Sequence, residues 1–364
     1  MSTWMNLLKP VTPSKRRRMC KTPLICMLMP PWVRPYQPGP IQSKWRSETT
    51  SAVWSVNTIL LSTRRFAKAS HTLLGLSQPG DLWSMGPHRL LCGSCLDADA
   101  VVRVLDGGRP TLLITDPPYG VELDMEWRDR AGLNRRGPAE ASYMKQRIEG
   151  HTTTTISGDT IADWSPAFAL VPSLAIAYVW HATSHTIEVA QGLKSIGFEL
   201  RQQIIWEKTV AAISRQAYHW KHEPCWYAVR KGQTAKWIGT KDQTTIWEAA
   251  SPKQISSGSK EQKFDHPTQK PIALMERPIK NHDGAVYEPF GGSGTTLMAS
   301  ETLGRNCYSI EIEPRFVDVI VTRWQNFTGR AAILDGAQKT FEQVKLERRR
   351  TQDANPEADQ DGSE

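Results

Sequence analysis

Short apolar or alternating runs recur along the middle and end of the chain, each closed by polar or small residues. They are Leu112 to Thr115, Ala175 to Trp180, Arg201 to Trp206, Cys225 to Val229, Ala285 to Glu288 and Cys307 to Ile312. Runs of this length rich in Val, Ile, Tyr and Trp predict strands. Between them, Thr186 to Ile196 and Thr295 to Leu303 carry the wider spacing of helices. Strands alternating with helices predict an α/β fold: a doubly wound, mostly parallel, Rossmann-like sheet with helices on both faces. In such sheets ligands collect at the carboxyl ends of the strands.

This rhythm sets the expected boundaries. Residues 1–75 are rich in Pro, Ser, Thr, Arg and Lys, with one short helix expected over Thr58 to Ala69, and predict a poorly ordered segment. Its basic run, Lys15 to Arg18, suits either a DNA backbone contact or a solvated tail. Residues 76–335 form the folded domain. Within it, residues 207–265 break the pattern with Lys, Gln, Thr, Ser and Trp and predict an inserted recognition region. Residues 336–364 read as a charged tail, disordered from Thr351 onwards.

Composition adds bounds. A chain of 364 residues is long enough for one large domain or two ordinary ones. The net charge of +8 and pI of about 9.2 fit a polyanionic partner. Several of the 14 tryptophans fall between Trp206 and Trp247 among Lys, Arg and His, as a base-stacking surface requires, with core packing as the alternative. Six cysteines without framework spacing predict a reducing compartment, the cytoplasm of a bacterium or a phage-infected cell. His88, Cys92 and Cys95 lack the second pair of a closed zinc site, so no metal is expected. Pro23, Pro30 and Pro31 interrupt the apolar stretch Leu24 to Met29, which argues against a secretion signal. Pro172 divides the run Ala167 to Val179, which falls short of the roughly 20 residues that span a bilayer.

Two motifs carry chemistry. Asp116-Pro117-Pro118-Tyr119 follows Leu112-Leu113-Ile114, so a strand delivers a carboxylate, a rigid diproline and an aromatic ring to its carboxyl edge, a set suited to holding an aromatic amine. Much later, Val286 to Thr296 reads as a strand, a glycine turn and a helix start. Glycine turns let backbone approach a ligand closely, and helix amides favour negative charge. Glu311 ends the next strand, 16 positions after Thr295, close to the spacing of about 20 that puts a carboxylate on ribose hydroxyls. Glu313 competes for that role.

With His266-Pro267-Thr268-Gln269-Lys270-Pro271 and Phe290-Gly291-Gly292-Ser293-Gly294, these motifs resemble the permuted, β-type amino-group DNA methyltransferases. The resemblance runs from Gly80-Asp81-Leu82-Trp83 and His88 to Gly93 through Gly329, with the target-amine motif preceding the cofactor loop. It implies S-adenosylmethionine as cofactor. Thr268, Gln269 and Lys270 would lie near its methionine end, Glu288 at its amino group, and Glu311 on the ribose. Phe290, Gly292, Ser293, Gly294 and Thr295 would form the loop beneath it. Asp116 and the Pro117 carbonyl would accept the two N–H groups of the target amine, Pro118 would fix the geometry, and Tyr119 would stack on a base rotated out of double-stranded DNA. Transfer would be direct, resting on positioning and electrostatics.

In this resemblance the region Glu207 to Lys263 reads the DNA site, with Lys208, Arg215, Lys221, Arg230, Lys231, Lys236 and Lys241 available to phosphates. Arg128, Arg130, Arg135 and Arg136 lie in a loop that could close over the flipped base. Asp at the first motif position favours adenine N6, with cytosine N4 and a non-catalytic DNA-binding relative as alternatives. One departure is Ser94, where relatives carry Asp, with Asp97 as candidate substitute. A homodimer, a cognate restriction enzyme and an origin on a phage or mobile element are compatible with the resemblance and stay open.

Overall fold

Contacts divide the chain into two compact units, Met1–Lys68 and Ala69–Glu364. The computed structural model describes residues 76–121, 157–212, 217–250 and 269–354, all in the second unit. The expected N-terminal segment, the loop arginines, Arg215 and Thr268 lie outside the described residues.

Strands β3 (Leu112–Thr115) and β4 (Ile176–Trp180) are buried at every position. Alternate residues enter opposite cores: Leu112, Ile114, Ile176, Tyr178 and Trp180 face one, while Leu113, Ala177 and Val179 face the other. A strand covered by helices on both sides requires such unbroken apolar runs.

The remaining strands are β1 (Leu82–Met85), β2 (His88–Cys92), β5 (Phe198–Ala212), β6 (Trp220–Arg230), β7 (Ile246–Ala249), β8 (Val286–Glu288), β9 (Cys307–Glu311), β10 (Ile333–Leu334) and β11 (Lys339–Thr340). One sheet runs β11-β10-β1-β2-β9-β8-β3-β4-β6-β5-β7. Its centre, β2-β9-β8-β3-β4, is wholly parallel. Antiparallel pairs flank it on both sides, β1 with β2 and β10, and β6 with β4 and β5.

Two expected boundaries shift. The recognition region was to begin at Glu207, yet β5 continues to Ala212 and β6 returns from Trp220, so much of 207–230 is a hairpin of the main sheet. Cys225, Ala228 and Val229 are fully buried by pairing with β4, which ties this stretch to the domain. The charged tail also contains structure: β11 and a helix, Phe341–Ala354. Phe341 and Val344 are buried, the Phe341 ring meets Trp83 edge-on at 5.2 Å, and Arg348 donates to Asp81 at 2.9 Å. Two apolar anchors and one ion pair dock a helix whose other positions are almost all polar.

Several tryptophans are core residues: Trp180, Trp206 and Trp247 are nearly inaccessible, whereas Trp220 and Trp237 remain on the surface. No helix among the described residues is long and apolar enough to cross a membrane.

Candidate active site

Three neighbouring parallel strands end at one cavity. β3 delivers Asp116, β8 delivers Glu288 and β9 delivers Glu311. The chain leaves β3 in one direction along the sheet and β8 in the other, so a crevice opens between the strand ends, as expected where strand order reverses. The cavity holds about 360 Å³, within the range of small-molecule sites. Its lining includes the Asp116 to Tyr119 motif, Gln269, Lys270, Phe290, Gly292, Ser293, Thr295 and the three carboxylates.

The glycine turn forms as its residues require. Gly291 donates to the Ile310 carbonyl at 2.8 Å, and Gly294, at φ 79°, caps the helix Thr295–Thr302 in a left-handed conformation that a side chain disfavours. A Cβ on Gly294 would also sit 3.1 Å from Ile320. Ser293 is buried beside Thr295, and its carbonyl accepts from Arg323 at 2.8 Å.

Both inner glutamates are oriented by donors. Glu288 accepts from Thr115 Oγ1 at 2.6 Å and Thr296 Oγ1 at 2.7 Å, and from the Phe290 amide at 3.0 Å. Burial dominates these bonds and pushes its carboxyl up to about 8. Glu311 accepts from the Gly292 amide at 2.6 Å and the Glu313 amide at 2.8 Å, and burial raises it to about 7. Glu313, the competitor, turns its carboxylate to the Ser157 hydroxyl.

Asp116 lies in a compact charge cluster. Lys270 Nζ donates to both of its oxygens at 2.7 Å, and the Tyr119 hydroxyl donates to Oδ1 at 2.8 Å. Lys270 also meets Glu223 at 3.0 Å, and Glu223 pairs in turn with Lys208. Burial lifts the Asp116 carboxyl above its ordinary value despite Lys270. Burial acts the same way on Glu223, but Lys270 and Lys208 together overcome it and hold that carboxyl down at about 2. Lys270 stays charged: the two acids outweigh its burial and raise it.

Around the cluster, the Trp164 indole donates to the Pro118 carbonyl at 3.0 Å and its ring meets Phe290 edge-on at 4.8 Å. Asp159 accepts from the Gly120 amide at 3.0 Å, which fixes the exit from the motif.

The structure thus gathers Asp116, Pro117, Pro118, Tyr119, Gln269, Lys270, Glu288, Phe290, Gly292, Ser293, Thr295 and Glu311 around one cavity. It places the Lys270 ammonium on Asp116, where the sequence suggested the cofactor's methionine end. Glu223 was missed; its only sequence signal is an acid at the start of an apolar run. Asp97 lies outside the lining and caps the helix Ala98–Leu105 by accepting from Asp99 N at 3.0 Å, while Ser94 lines the cavity. His88, once weighed as a metal ligand, bonds Glu301 at 2.9 Å and the Cys307 amide at 3.1 Å. Three of the basic residues suggested for phosphates are engaged elsewhere: Lys208 with Glu223, Lys221 with Glu207 at 2.7 Å, and Arg230 with the Leu174 and Ile196 carbonyls.

Comparison with known proteins adds independent findings. A family model described as DNA methylase matches residues 111–322. Type II methyltransferase M2.MboI of Moraxella bovis is 32% identical over 251 residues, 65% of this chain and 87% of that protein. Putative methylase YubD of Escherichia coli (strain K12) is 25% identical over 232 residues, 62% of this chain and 84% of that protein. Among solved structures, the M1.HpyAVI–SAM complex aligns with 65% of this chain and 99% of its own at 22% identity and a TM-score of 0.43. The PvuII DNA methyltransferase (cytosine-N4-specific) aligns with 73% of this chain and 93% of its own at 16% identity and a TM-score of 0.47.

Proposed function

The chain belongs to the DNA methylase family of N6-adenine and N4-cytosine enzymes, and from that premise we propose that it methylates the exocyclic N6 amine of adenine in double-stranded DNA, using S-adenosylmethionine. The observation that carries this reading is the delivery of Asp116, Glu288 and Glu311 by adjacent strands to one cavity of about 360 Å³. Modification of DNA beside a cognate restriction enzyme is the setting that the Type II relatives support.

The residues fit the cofactor. Glu311, fixed by two backbone amides, keeps lone pairs for ribose hydroxyls. Glu288 offers a carboxylate to the amino group, and Phe290, Gly292, Ser293, Thr295 and Gln269 line the space between. When bound, S-adenosylmethionine supplies a methyl group on a sulfonium, open to attack by a nitrogen lone pair.

The chain's own part is to make that lone pair available. An exocyclic amine is a poor nucleophile because its lone pair is delocalised into the ring. Asp116 accepts one N–H and the Pro117 carbonyl the other, which draws the nitrogen towards a tetrahedral shape. Tyr119 stacks on the base, at whose entry the cost of unstacking, a few kcal/mol, is offset by these contacts. Because the groups are fixed in advance and largely shielded from water, little reorganisation accompanies transfer. Asp at the head of the motif, rather than Ser, supports adenine over cytosine.

The test is to incubate the protein with unmethylated DNA and methyl-labelled S-adenosylmethionine and identify the labelled nucleoside by mass spectrometry. N6-methyladenine is expected. N4-methylcytosine would overturn the base assignment, and no label despite bound cofactor would overturn methyl transfer.

A further inference from the structure

Lys270 has three N–H donors but four oxygen partners: both oxygens of Asp116 at 2.7 Å, and the Tyr119 hydroxyl and Glu223 Oε2 at 3.0 Å. Its side chain is only 4% exposed, so water competes little for it. This arrangement raises a difficulty for the reading proposed above, on which the following rests. Asp116 must accept an N–H from the amine, yet both of its oxygens already receive bonds from a cation. A lysine with one carboxylate partner in a shielded site would stay there, because charge-assisted bonds strengthen as water is excluded.

Glu223 resolves the difficulty. It reaches the cluster from β6, opposite Trp206 of β5, and its second oxygen is anchored by Lys208. Lys270 therefore lies between two carboxylates at nearly equal distance. A shift of roughly a few tenths of an ångström lengthens one Lys270–Asp116 bond and tightens the Lys270–Glu223 contact, so the ammonium stays paired with both acids while one Asp116 oxygen is freed. Two acids and two lysines balance, so the cluster stays neutral throughout.

We propose that Glu223 is a positioning residue for methyl transfer: it holds Lys270 between two carboxylates, so that Asp116 can release one bond and accept the target amine. Glu223 touches neither base nor cofactor in this role; it acts chiefly through Lys270, and its Oε2 also accepts a longer bond from the Tyr119 hydroxyl at 3.2 Å. The titratable groups facing Asp116 are Lys270, Glu223 and Tyr119, with Cys225 and Glu288 farther away. Of these, Glu223 is the neighbouring acid that raises Asp116 most, after burial itself.

The test is Glu223→Gln, which keeps the shape and removes the charge. Its kcat for DNA methylation should fall by about tenfold or more, the scale of a displaced reacting group. Affinity for S-adenosylmethionine should stay within about twofold, which also reports that the variant folds. The titration midpoint of Asp116, followed by carboxyl carbon NMR in the protein without cofactor, should move to lower pH, since Lys270 then serves Asp116 alone. Glu223→Asp should recover part of the rate. In a Lys270→Gln background, Glu223→Gln should add little, because residues that act through one another are not additive. An unchanged kcat, an unmoved Asp116 midpoint, or an equal loss without Lys270 would each overturn the role while leaving the proposed function standing. Wild-type protein that binds cofactor but methylates no DNA would instead overturn the function, and this role with it.

Discussion

Replacing Glu288 with Gln should make the protein without cofactor more stable at alkaline pH than the wild type. Glu288 is 3% exposed, and burial lifts its carboxyl from 4.5 to about 8. The folded state therefore keeps a proton that the unfolded chain has already lost. Stability associated with that proton is fully present below pH 4.5 and is lost as pH rises through about 8. Each unit of difference corresponds to about 1.4 kcal/mol, so the window amounts to roughly 3 to 5 kcal/mol. Gln removes the titration but keeps the bonding: its oxygen accepts from Thr115 and Phe290 as before, and its amide faces Thr296, whose hydroxyl can accept. Urea unfolding from pH 5 to 8.5 reads the effect. The variant should match the wild type or fall slightly below it at pH 5 and exceed it by about 2 to 4 kcal/mol at pH 8.5. Glu311, raised to about 7, contributes the same slope to both proteins and cancels in the difference. Parallel stability curves would refute the reasoning and mean that the fold stores Glu288 ionised.

Three further predictions concern other parts of the site and its frame. Asp116→Ala should lower kcat by at least about 10²-fold while calorimetry shows retained cofactor binding; preserved transfer would remove Asp116 from the chemistry. Gly294→Ala forces a Cβ into a left-handed position 3.1 Å from Ile320 and should destabilise the loop by about 1 to 3 kcal/mol, weakening cofactor affinity before kcat. Arg230→Met leaves the Leu174 and Ile196 carbonyls without their guanidinium donor and should lower unfolding stability by about 2 to 4 kcal/mol. DNA affinity should remain within about twofold; a large drop at unchanged stability would return Arg230 to the DNA-facing surface.

The most legible parts were those in which one physical demand dominated. Leu112–Thr115 is buried on both faces, and its unbroken apolar run gave the strand residue for residue. The glycines at 292 and 294 announced a turn that only their backbone freedom permits, and both have positive φ. Less legible were features created by pairing across the sheet. Glu223 gains its place because β6 runs antiparallel to β4, opposite in sense to the parallel core, and local spacing carries no trace of that reversal. The motif marks Lys270, but its partners come from the loop that follows β3 and from β6. The helix from Phe341 was hidden because Phe341 and Val344 alone bury apolar surface among charged neighbours. The strands Leu82–Met85 and His88–Cys92 escape because runs of four and five residues joined by a two-residue turn are too short to show a clear period.

The docked C-terminal helix has a consequence for the architecture as a whole. Arg348, near the end of the described chain, donates to the carbonyl of Leu76, at its beginning, at 2.6 Å. The helix Phe341–Ala354 is thus tied to the segment just before β1, several strands along the sheet from β3 and β4. A linker joining that helix to the segment before β1 would close the backbone into a ring, and a new opening at the exposed Lys231–Gly232 turn would read the cofactor loop before the amine-holding motif. The serial order of these two motifs is therefore a property of where the ring is cut, while the crevice between their strand ends depends only on which strands lie side by side.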